Sequence, residues 1–504
     1  MMKKTVHLDG HHLTMEEVAL VACREADVSW RPLSRRAVEE ARRLVESFVA
    51  KNEAVYGVTT GFGKLSDVKI NRSQLEQLQA NLIRSHACGT GPSLTDAETR
   101  AAMLIRANVL AKGFSGVRPV VVETLVAMLN ADLLPVIPAK GSVGASGDLA
   151  PSAHIALVLM GEGRARYGGE ELDGGEAMTR AGIPVVTFQA KEGLAVLNGT
   201  QIMAALGCLL LFELEYLLHM ASLAAALSTD GLKDTDRHFD PQVHAVRPHP
   251  GQQEIAREMA ALLRDSEIRE SHRMCGRVQD PYSLRCIPQV HGAVRDTMVH
   301  ARAVLEREIN SATDNPLVFP QSGEVISGGN FHGEPLAFIL DFLAIAATEL
   351  TTIAERRIEL LINPDLSGLP AFLAMDPGLN SGFMIAQLTV VSLVAENRIL
   401  AHPASVDTLP TSANKEDHVS MGMTAALKLR QIVENVRTVL AVELLVACQA
   451  IDFRRPLQSS PALEKVYGLI RRQVPFMDVD RNISRDIAIV NDMLRDRLIK
   501  IPRT

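Results

Sequence analysis

The sequence predicts a mainly α protein in which a long central helical bundle follows a smaller, mixed N-terminal domain. Apolar residues make up 47% of the 504 residues but aromatic residues only 4%, which is typical of closely packed aliphatic helices. After residue 200 the chain contains five long apolar stretches, whereas the first 200 residues alternate helical patterns with turns rich in Gly and Pro. The predicted domains are therefore residues 1–200 and 201–504, and the second holds the long-helix core and the C-terminal region.

The N-terminal domain is predicted to contain four helices and a few short strands. The helices are expected at residues 34–51, 73–85, 96–112 and 119–133, where apolar residues recur with the helical period. Pro119 suits the first position of the fourth helix, because its missing N–H has no partner there in any case. Extended segments are expected at residues 5–8 and in the glycine-rich span 164–183, where a hairpin can form.

The second domain is predicted to consist mainly of long helices. They are expected at residues 201–228, 288–310, 335–361, 376–400 and 421–451. The third begins at Pro335 and ends before Pro364, without Gly or Pro in its interior. Helices of about 25 residues extend about 37 Å, which suits a bundle that continues across subunit contacts.

Composition and charge exclude several classes of protein. A net charge of −7 does not favour nucleic-acid binding. The cysteines form no C-x-x-C pair and predict neither a zinc site nor a disulfide framework, so a cytoplasmic protein without a metal is expected; they are Cys23, Cys88, Cys208, Cys275, Cys286 and Cys448. No signal peptide is visible at the N-terminus. The apolar stretch 203–227 is interrupted by Glu213, Glu215 and His219, which favours a buried helix over a membrane span.

The most informative segment is residues 141–154, GSVGASGDLAPSAH, because it contains the triplet Ala145-Ser146-Gly147. The amide nitrogen of Gly147 can attack the carbonyl carbon of Ala145, since glycine has no Cβ and tolerates strained backbone angles. Loss of two water molecules then gives 4-methylidene-imidazol-5-one (MIO), an electrophile that no ordinary side chain provides. A hydrolase nucleophile elbow fits less well, because Asp148 stands where its last glycine belongs. A phosphate-binding loop would need a Gly-Lys-Ser/Thr ending, which is absent.

Further polar clusters lie in predicted loops and at helix ends, where binding residues are common. Each has an ordinary structural interpretation: Tyr56 can be a packing residue of a tight turn, His86 a helix C-terminal residue, and Asn198 a helix cap. Tyr282 and Arg285 share a face if a helical turn begins after Pro281, and the arginine can then hold a carboxylate through two hydrogen bonds.

Eight strings distributed over nearly the whole chain resemble the MIO-dependent aromatic amino acid ammonia-lyases and aminomutases, and in particular their bacterial histidine-acting members. The strings are YGVTTGFG, SHACG, GSVGASGDLAP, KEGLAVLNGTQ, VQDPYSLRCIPQVHGA, SATDNPL, SGGNFHGEP and TSANKEDHVSMG. The resemblance implies an ammonia-lyase/fumarase-like fold and a homotetramer in which each active site combines loops from three chains. It also implies MIO as the only cofactor and a small-molecule substrate, an amino acid.

The resemblance assigns a role to each matching residue. Ala145, Ser146 and Gly147 form the ring, Tyr56 is the catalytic tyrosine, and Arg285 binds the substrate carboxylate with help from Asn198. Gln279, Tyr282 and Phe331 line the ring site, with Tyr282 also counted among the catalytic residues, and His86 and Glu416 face the substrate imidazole. The expected reaction is elimination of ammonia from L-histidine to give trans-urocanate. Either Tyr56, as a phenolate helped by neighbouring charge, or Glu416 removes the β-proton.

The expected substrate depends mainly on Glu416, because a carboxylate pairs with an imidazole but is badly placed against a phenyl ring. Lys415 stands where relatives commonly carry glutamine, and a cation beside Glu416 makes that carboxylate a weaker base. A second departure is the Pro151-Ser152-Ala153-His154 string, which lacks the usual leucine after the proline. The alternatives are a lyase or aminomutase for tyrosine or phenylalanine, and a catalytically silent helical assembly that binds a partner.

Overall fold

The computed structural model describes residues 3–273 and 278–500, and most of them are helical, as predicted. The described helices are α1 (Met15–Ala22), α2 (Pro32–Lys51), α3 (Leu75–His86), α4 (Asp96–Ala111), α5 (Pro119–Ala131), α6 (Leu149–Leu159), α7 (Gly174–Arg180), α8 (Glu192–Leu197), α9 (Gln201–Gly231), α10 (Pro241–Ala245), α11 (Pro250–Leu262), α12 (Glu267–Glu270), α13 (Tyr282–Arg285), α14 (Ile287–Glu308), α15 (Glu334–Ile362), α16 (Pro364–Ser367), α17 (Met384–Leu400), α18 (Gly422–Asp452), α19 (Pro461–Gln473) and α20 (Ile483–Arg495). The described strands are β1 (Lys4–Leu8), β2 (Ala26–Trp30), β3 (Thr90–Ser93), β4 (Leu134–Pro135), β5 (Pro138–Lys140), β6 (Arg164–Tyr167), β7 (Glu170–Asp173), β8 (Leu317–Phe319) and β9 (Glu324–Ile326).

The four helices predicted before residue 134 are all present as α2 to α5. Helix α4 starts with a capping box, in which the Thr95 hydroxyl accepts from the Glu98 N–H and the Glu98 carboxylate accepts from the Thr95 N–H. Helix α5 starts with proline at its first position, as expected, and its C-cap is Asp132, whose φ of 59° is left-handed. Local signals therefore determine the ends of these helices.

The strands form four small sheets. Strands β1 and β2 pair in parallel, β3 pairs with β5, β4 pairs with β6 and β6 with β7, and β8 pairs with β9, all antiparallel except the first. The hairpin predicted within 164–183 is formed by β6 and β7, around a two-residue turn of Gly168 and Gly169 that both have positive φ. The later part of that span is not extended as predicted, because it forms helix α7 directly after the hairpin.

The five predicted long helices correspond to α9, α14, α15, α17 and α18, but the start predicted for α17 is wrong. This helix begins at Met384 rather than at residue 376. Gly378 has a φ of +105° and Gly382 a φ of +55°, and Pro377 precedes them, so the segment before Met384 turns instead of continuing a helix.

Contacts between Cα atoms divide the chain into two compact units. The first unit comprises residues 1–210, 301–341 and 403–427, and the second comprises residues 211–300, 342–402 and 428–504. The sequence-based division between residues 200 and 201 stays a prediction.

In the first unit, a core cluster packs beneath the loop that carries Tyr56; its members are Ala41, Val45, Val58, Leu75, Ala190 and Val318. In the second unit, the fully buried Arg357 and Glu443 form an ion pair with an Nη2–Oε2 distance of 3.0 Å.

Helices α9 and α15 are long and apolar enough to cross a membrane by length and composition alone. Their most apolar windows are 67% and 72% buried within the protein, as in the core helices of a soluble protein.

The described cysteines are all free thiols, and Cys275 lies outside the described residues.

Candidate active site

The loop that carries Ala145, Ser146 and Gly147 runs from β5 to α6 and pairs with the segment that leads into α9. Gly147 and Gly199 form a parallel bridge, in which the Gly199 N–H donates to the Ser146 carbonyl at 3.2 Å and the Asp148 N–H donates to the Gly199 carbonyl at 2.8 Å. Gly147 has a φ of +73°, and a Cβ on it would lie 2.0 Å from the Gly199 oxygen. Both the backbone angle and the contact therefore require glycine at position 147.

The Gly147→Ala variant is expected to lose stability and to perturb this loop. The left-handed φ alone costs about 1–3 kcal/mol for a residue with a side chain, and the Gly199 carbonyl must also move. Gly182→Ala is the matched control, because Gly182 has a φ of +68° and a Cβ added there would meet no atom within 4 Å. Urea unfolding should show a larger loss for Gly147→Ala than for Gly182→Ala; equal losses would contradict the close approach of Gly199.

Asp148 anchors the loop to the first turn of α9. Its buried carboxylate accepts hydrogen bonds from the N–H groups of Met203 at 2.9 Å and Ile202 at 3.1 Å, and from the Ser142 hydroxyl at 3.0 Å. A carboxylate at this position satisfies N–H groups that have no partner within the helix. Burial raises the pKa of Asp148 to about 6, although these hydrogen bonds oppose the increase. Sequence reasoning gave Asp148 no such role; its one signal is an acidic residue directly before an apolar helix.

A cavity of about 490 Å³ in the first unit collects six of the predicted site residues, namely Tyr56, His86, Ser146, Asn198, Phe331 and Glu416. They come from distant parts of the sequence: a loop after α2, the end of α3, the loop before α6, the end of α8, the segment before α15 and the loop before α18. Asn315, Ser327, Ser412 and Lys415 also line this cavity. Apolar and polar walls together suit it to binding a small molecule.

Glu416 is held next to Ser146. The Ser146 hydroxyl donates to Glu416 Oε1 at 3.2 Å, and the Thr411 hydroxyl donates to Glu416 Oε2 at 2.6 Å. Backbone hydrogen bonds between Thr411 and Glu416 close the same loop. The carboxylate therefore has a defined position beside the residue predicted to become the electrophile.

Lys415 lines the same cavity, but its ammonium group is not paired with Glu416. Within residues 3–273 and 278–500, no carboxylate lies within 4 Å of the Lys415 ammonium nitrogen. The direct cation–carboxylate contact considered from the sequence is therefore absent from the described structure.

Tyr56 and His86 approach the cavity with opposite pKa changes. Burial raises the pKa of Tyr56, and so does the charge of Glu416, while a hydrogen bond from the Gly63 N–H opposes both. The phenol is thus held in its protonated form. Burial lowers the pKa of His86, although its hydrogen bond to the Leu82 carbonyl and the charge of Glu416 both act to raise this pKa. Because His86 Nδ1 donates to that carbonyl at 2.8 Å, the neutral ring keeps Nε2 as an acceptor.

Asn198 is positioned by a buried polar network. Its Nδ2 donates to the Asn315 carbonyl at 3.0 Å and to Asp314 Oδ1 at 3.4 Å, which leaves its buried Oδ1 without a hydrogen-bond partner in the described part of the chain. The other Asp314 oxygen accepts from Lys191 Nζ at 2.7 Å, and both of these side chains are fully buried. Arg106, also fully buried, donates to the Asn198 carbonyl at 2.7 Å. Neither Lys191 nor Asp314 was predicted, because the sequence does not show that they meet.

The Lys191→Met variant is expected to lose about 3–5 kcal/mol of unfolding free energy, because it leaves Asp314 as an unpaired buried charge. Replacing both partners, in Lys191→Met/Asp314→Leu, should recover much of this loss. Denaturant unfolding followed by circular dichroism measures both effects. A single variant as stable as the wild type would show that the pair does not contribute to stability.

Gln279, Tyr282 and Arg285 belong to the second unit and are not among the residues that line the first unit's cavity. A helical turn does begin after Pro281, as α13, and the Arg285 guanidinium carbon lies 4.3 Å from the centre of the Tyr282 ring. Tyr282 is 71% exposed. Gln279 and Arg285 line a second cavity of about 800 Å³ together with Arg237, Arg269 and Arg273. The structure of one chain thus presents the predicted site residues in two groups.

The fold and the sequence together place the chain among the aromatic amino acid lyases. The sequence model of that family matches residues 13–472, and the chain belongs to this family. At the level of individual proteins, the chain is 54% identical to the histidine ammonia-lyase of Anaeromyxobacter dehalogenans over 507 residues, which cover 99% of this chain and 100% of that protein.

Solved structures agree with this assignment. The histidine ammonia-lyase of Trypanosoma cruzi superposes with a TM-score of 0.91 at 43% identity, covering 98% of this chain and 94% of that one. The tyrosine aminomutase of Streptomyces globisporus superposes with a TM-score of 0.92 at 40% identity, covering 98% and 97%. The predicted family, enzyme class and fold are therefore confirmed.

Proposed function

We propose that this protein eliminates ammonia from L-histidine without oxidation and releases trans-urocanate. The observation that carries the proposal is the Glu416 carboxylate, 3.2 Å from the Ser146 hydroxyl in a cavity that His86 also lines. A carboxylate and an imidazole acceptor can accept from the two N–H groups of a substrate imidazolium, whereas a phenyl ring would leave both acceptors without partners. The names of the relatives support the same substrate.

The residues of the loop fit the MIO group that the family implies. Gly147 has the positive φ and the tight contact that exclude any side chain, and Ser146 lines the cavity. Asn198 Oδ1, buried in the wall of that cavity without a partner among the described residues, offers an acceptor for a substrate amine. When formed from Ala145, Ser146 and Gly147, the group supplies an electrophilic carbon that takes up the amine and makes its nitrogen a better leaving group. No external cofactor is part of the proposal.

Within this site, Glu416 is the better candidate for the acceptor of the β-proton. The raised pKa of Tyr56 keeps its phenol protonated at neutral pH, and the negative charge of Glu416 opposes a phenolate. Tyr56 then acts as a hydrogen-bond donor to the substrate. The test is exchange of the β-hydrogen of L-histidine with deuterium oxide: Glu416→Gln should lose exchange and Tyr56→Phe should retain part of it. The reverse result would assign the proton to Tyr56.

Arg285 is proposed to bind the substrate carboxylate, and Gln279, Tyr282 and Phe331 to line the ring site. Two parallel hydrogen bonds from a guanidinium hold a carboxylate in a fixed orientation. Since Arg285 lies in the second unit, we propose that the active site is completed by neighbouring chains in a homotetramer, as the resemblance implies. Exposed Phe338 and Phe342 on α15 supply apolar surface for such contacts.

Mixing two inactive variants tests this shared site. Ser146→Ala and Arg285→Ala chains, co-expressed with different tags and purified as mixed oligomers, are expected to recover activity, because some sites would combine an intact Ser146 with an intact Arg285 from another chain. Ser146→Ala mixed with Glu416→Gln is the control, since both residues line one cavity of one chain. Recovery in neither mixture would contradict the shared site.

A second candidate function is that of an aminomutase, which returns the ammonia to the β-carbon, because the tyrosine aminomutase superposes so closely. Incubation with L-histidine, L-tyrosine and L-phenylalanine separates the candidates. Product absorbance in the ultraviolet detects urocanate, coumarate or cinnamate, and chromatography detects β-amino acids. We expect urocanate alone; coumarate, cinnamate or a β-amino acid without urocanate would overturn the proposed substrate. The proposed location is the cytoplasm, in histidine catabolism.

A further inference from the structure

Two histidines and a glutamate gather beside the candidate site, in the first unit. Glu334 Oε2 lies 4.0 Å from His332 Nδ1 and 4.0 Å from His418 Nε2, and the three atoms are all within 4.8 Å of one another. Two imidazole nitrogens and one carboxylate oxygen form a ligand set that zinc and similar divalent ions prefer. These three residues are not among the candidate site residues drawn from the sequence, which predicted no metal.

The contacts of His332 leave the coordinating nitrogen in the correct protonation state. His332 Nε2 lies 3.2 Å from the His418 carbonyl oxygen, which can only accept, so the proton of the neutral ring is on Nε2. Nδ1 then carries a lone pair, which accepts a long hydrogen bond of 3.3 Å from the Glu334 N–H. Metal-binding histidines commonly donate their other N–H to a backbone carbonyl, which fixes the orientation of the ring.

Glu334 and His418 are available for a further partner. Glu334 Oε2 is buried and accepts no hydrogen bond from the described residues, which is costly for a carboxylate oxygen. The His418 side chain is 65% exposed, so an ion can reach the cluster from solvent. The rings of His332 and His418 are parallel to within 6°, with their centres 5.8 Å apart. Tetrahedral ligands at bond lengths of about 2.0–2.2 Å lie roughly 3.3–3.5 Å from one another, and at least one ring must turn out of the parallel arrangement for both nitrogen lone pairs to point at one ion.

We propose that His332 Nδ1, Glu334 Oε2 and His418 Nε2 bind one divalent transition-metal ion of the Zn²⁺ type, with a fourth position open to water. His332 directly follows Phe331, and His418 lies two residues after Glu416. The ion would therefore link the two segments that carry Phe331 and Glu416, and would stabilise the wall of the cavity. This inference is independent of the proposed reaction, because it concerns binding and not turnover.

The test is calorimetric titration of the full-length, chelator-treated protein with zinc chloride. We expect one Zn²⁺ per chain at this site and at least a tenfold weaker affinity in Glu334→Gln, which keeps the shape of the side chain but loses its charge. His418→Ala should show the same loss, and because this side chain is mostly exposed the variant should fold. Thermal unfolding should show a zinc-dependent rise in Tm that both variants lack.

Asp234→Asn is the matched control, because Asp234, His238 and Asp280 form the other cluster of possible ligands in residues 3–273 and 278–500. This variant should bind zinc at the proposed site like the wild type. Unchanged affinity in both Glu334→Gln and His418→Ala would overturn the proposal, as would loss of binding in Asp234→Asn alone. In crystals grown with zinc, anomalous scattering should place the ion between the three named atoms.

Discussion

Changing Glu416 to glutamine is expected to lower kcat for L-histidine by roughly 10²–10⁴-fold, the contribution typical of a positioned proton acceptor. Glutamine has nearly the same shape, and its amide oxygen can still accept from the Thr411 hydroxyl. It cannot take up the β-proton, nor can it pair with a substrate imidazolium. Initial rates of urocanate formation, measured over a range of substrate concentrations, separate the effect on kcat from the effect on KM.

Lys415→Gln is the control for this variant. Lys415 lines the same cavity but makes no ion pair with Glu416 in the described structure, so its loss should leave kcat nearly unchanged. Full activity of Glu416→Gln would remove the carboxylate from the proposed mechanism, and an equal loss in Lys415→Gln would show that the lysine takes part.

Changing Ser146 to alanine is expected to abolish turnover, with a decrease in kcat on the order of 10⁴-fold or more, as when a covalent catalytic group is removed. Without the serine hydroxyl the triplet cannot lose its second water, so no electrophilic carbon can form. The helical fold should persist, since Ser146 makes one side-chain hydrogen bond within the described residues, to Glu416. Intact-mass spectrometry gives a second readout: the wild type should be lighter than its sequence by two water molecules.

Ser322→Ala is the matched serine variant, because Ser322 is exposed in the turn between β8 and β9. It should keep both the mass deficit and the activity. A wild-type protein that turns over L-histidine at the full mass of its sequence would contradict ring formation. An unmodified and inactive wild type would instead favour the silent helical assembly.

The sequence predicted the helices well where local signals determine their ends, as at Thr95, Pro119 and Asp132. The start of α17 was missed because the apolar pattern continues through Pro377 and Gly378, whose backbone preferences override it. In the site, motifs identified the six residues that meet at one cavity. They could not identify Asp148, Lys191 or Asp314. These buried polar residues are hydrogen-bonded or paired with residues far away in the sequence, and a motif does not show such contacts.

Arg285 belongs to the second unit and the cavity residues to the first, and the sequence could not predict this division. Motif strings give the order of residues along a chain, but not whether residues from one copy or from several copies meet. Roles assigned to Gln279, Tyr282 and Arg285 therefore stay predictions until the mixing experiment is done.

The discontinuity of the first unit has a consequence for biosynthesis and for engineering. Its cavity needs Tyr56 from the beginning of the chain and Glu416 from the last of three segments, with parts of the other unit encoded between them. A nascent polypeptide cannot complete the pocket until residue 416 has been translated. Fragments that end before Glu416, or an excised N-terminal half, would expose the Ser146 loop without the Glu416 carboxylate. Transferring this site to a shorter protein therefore requires all three segments of the first unit.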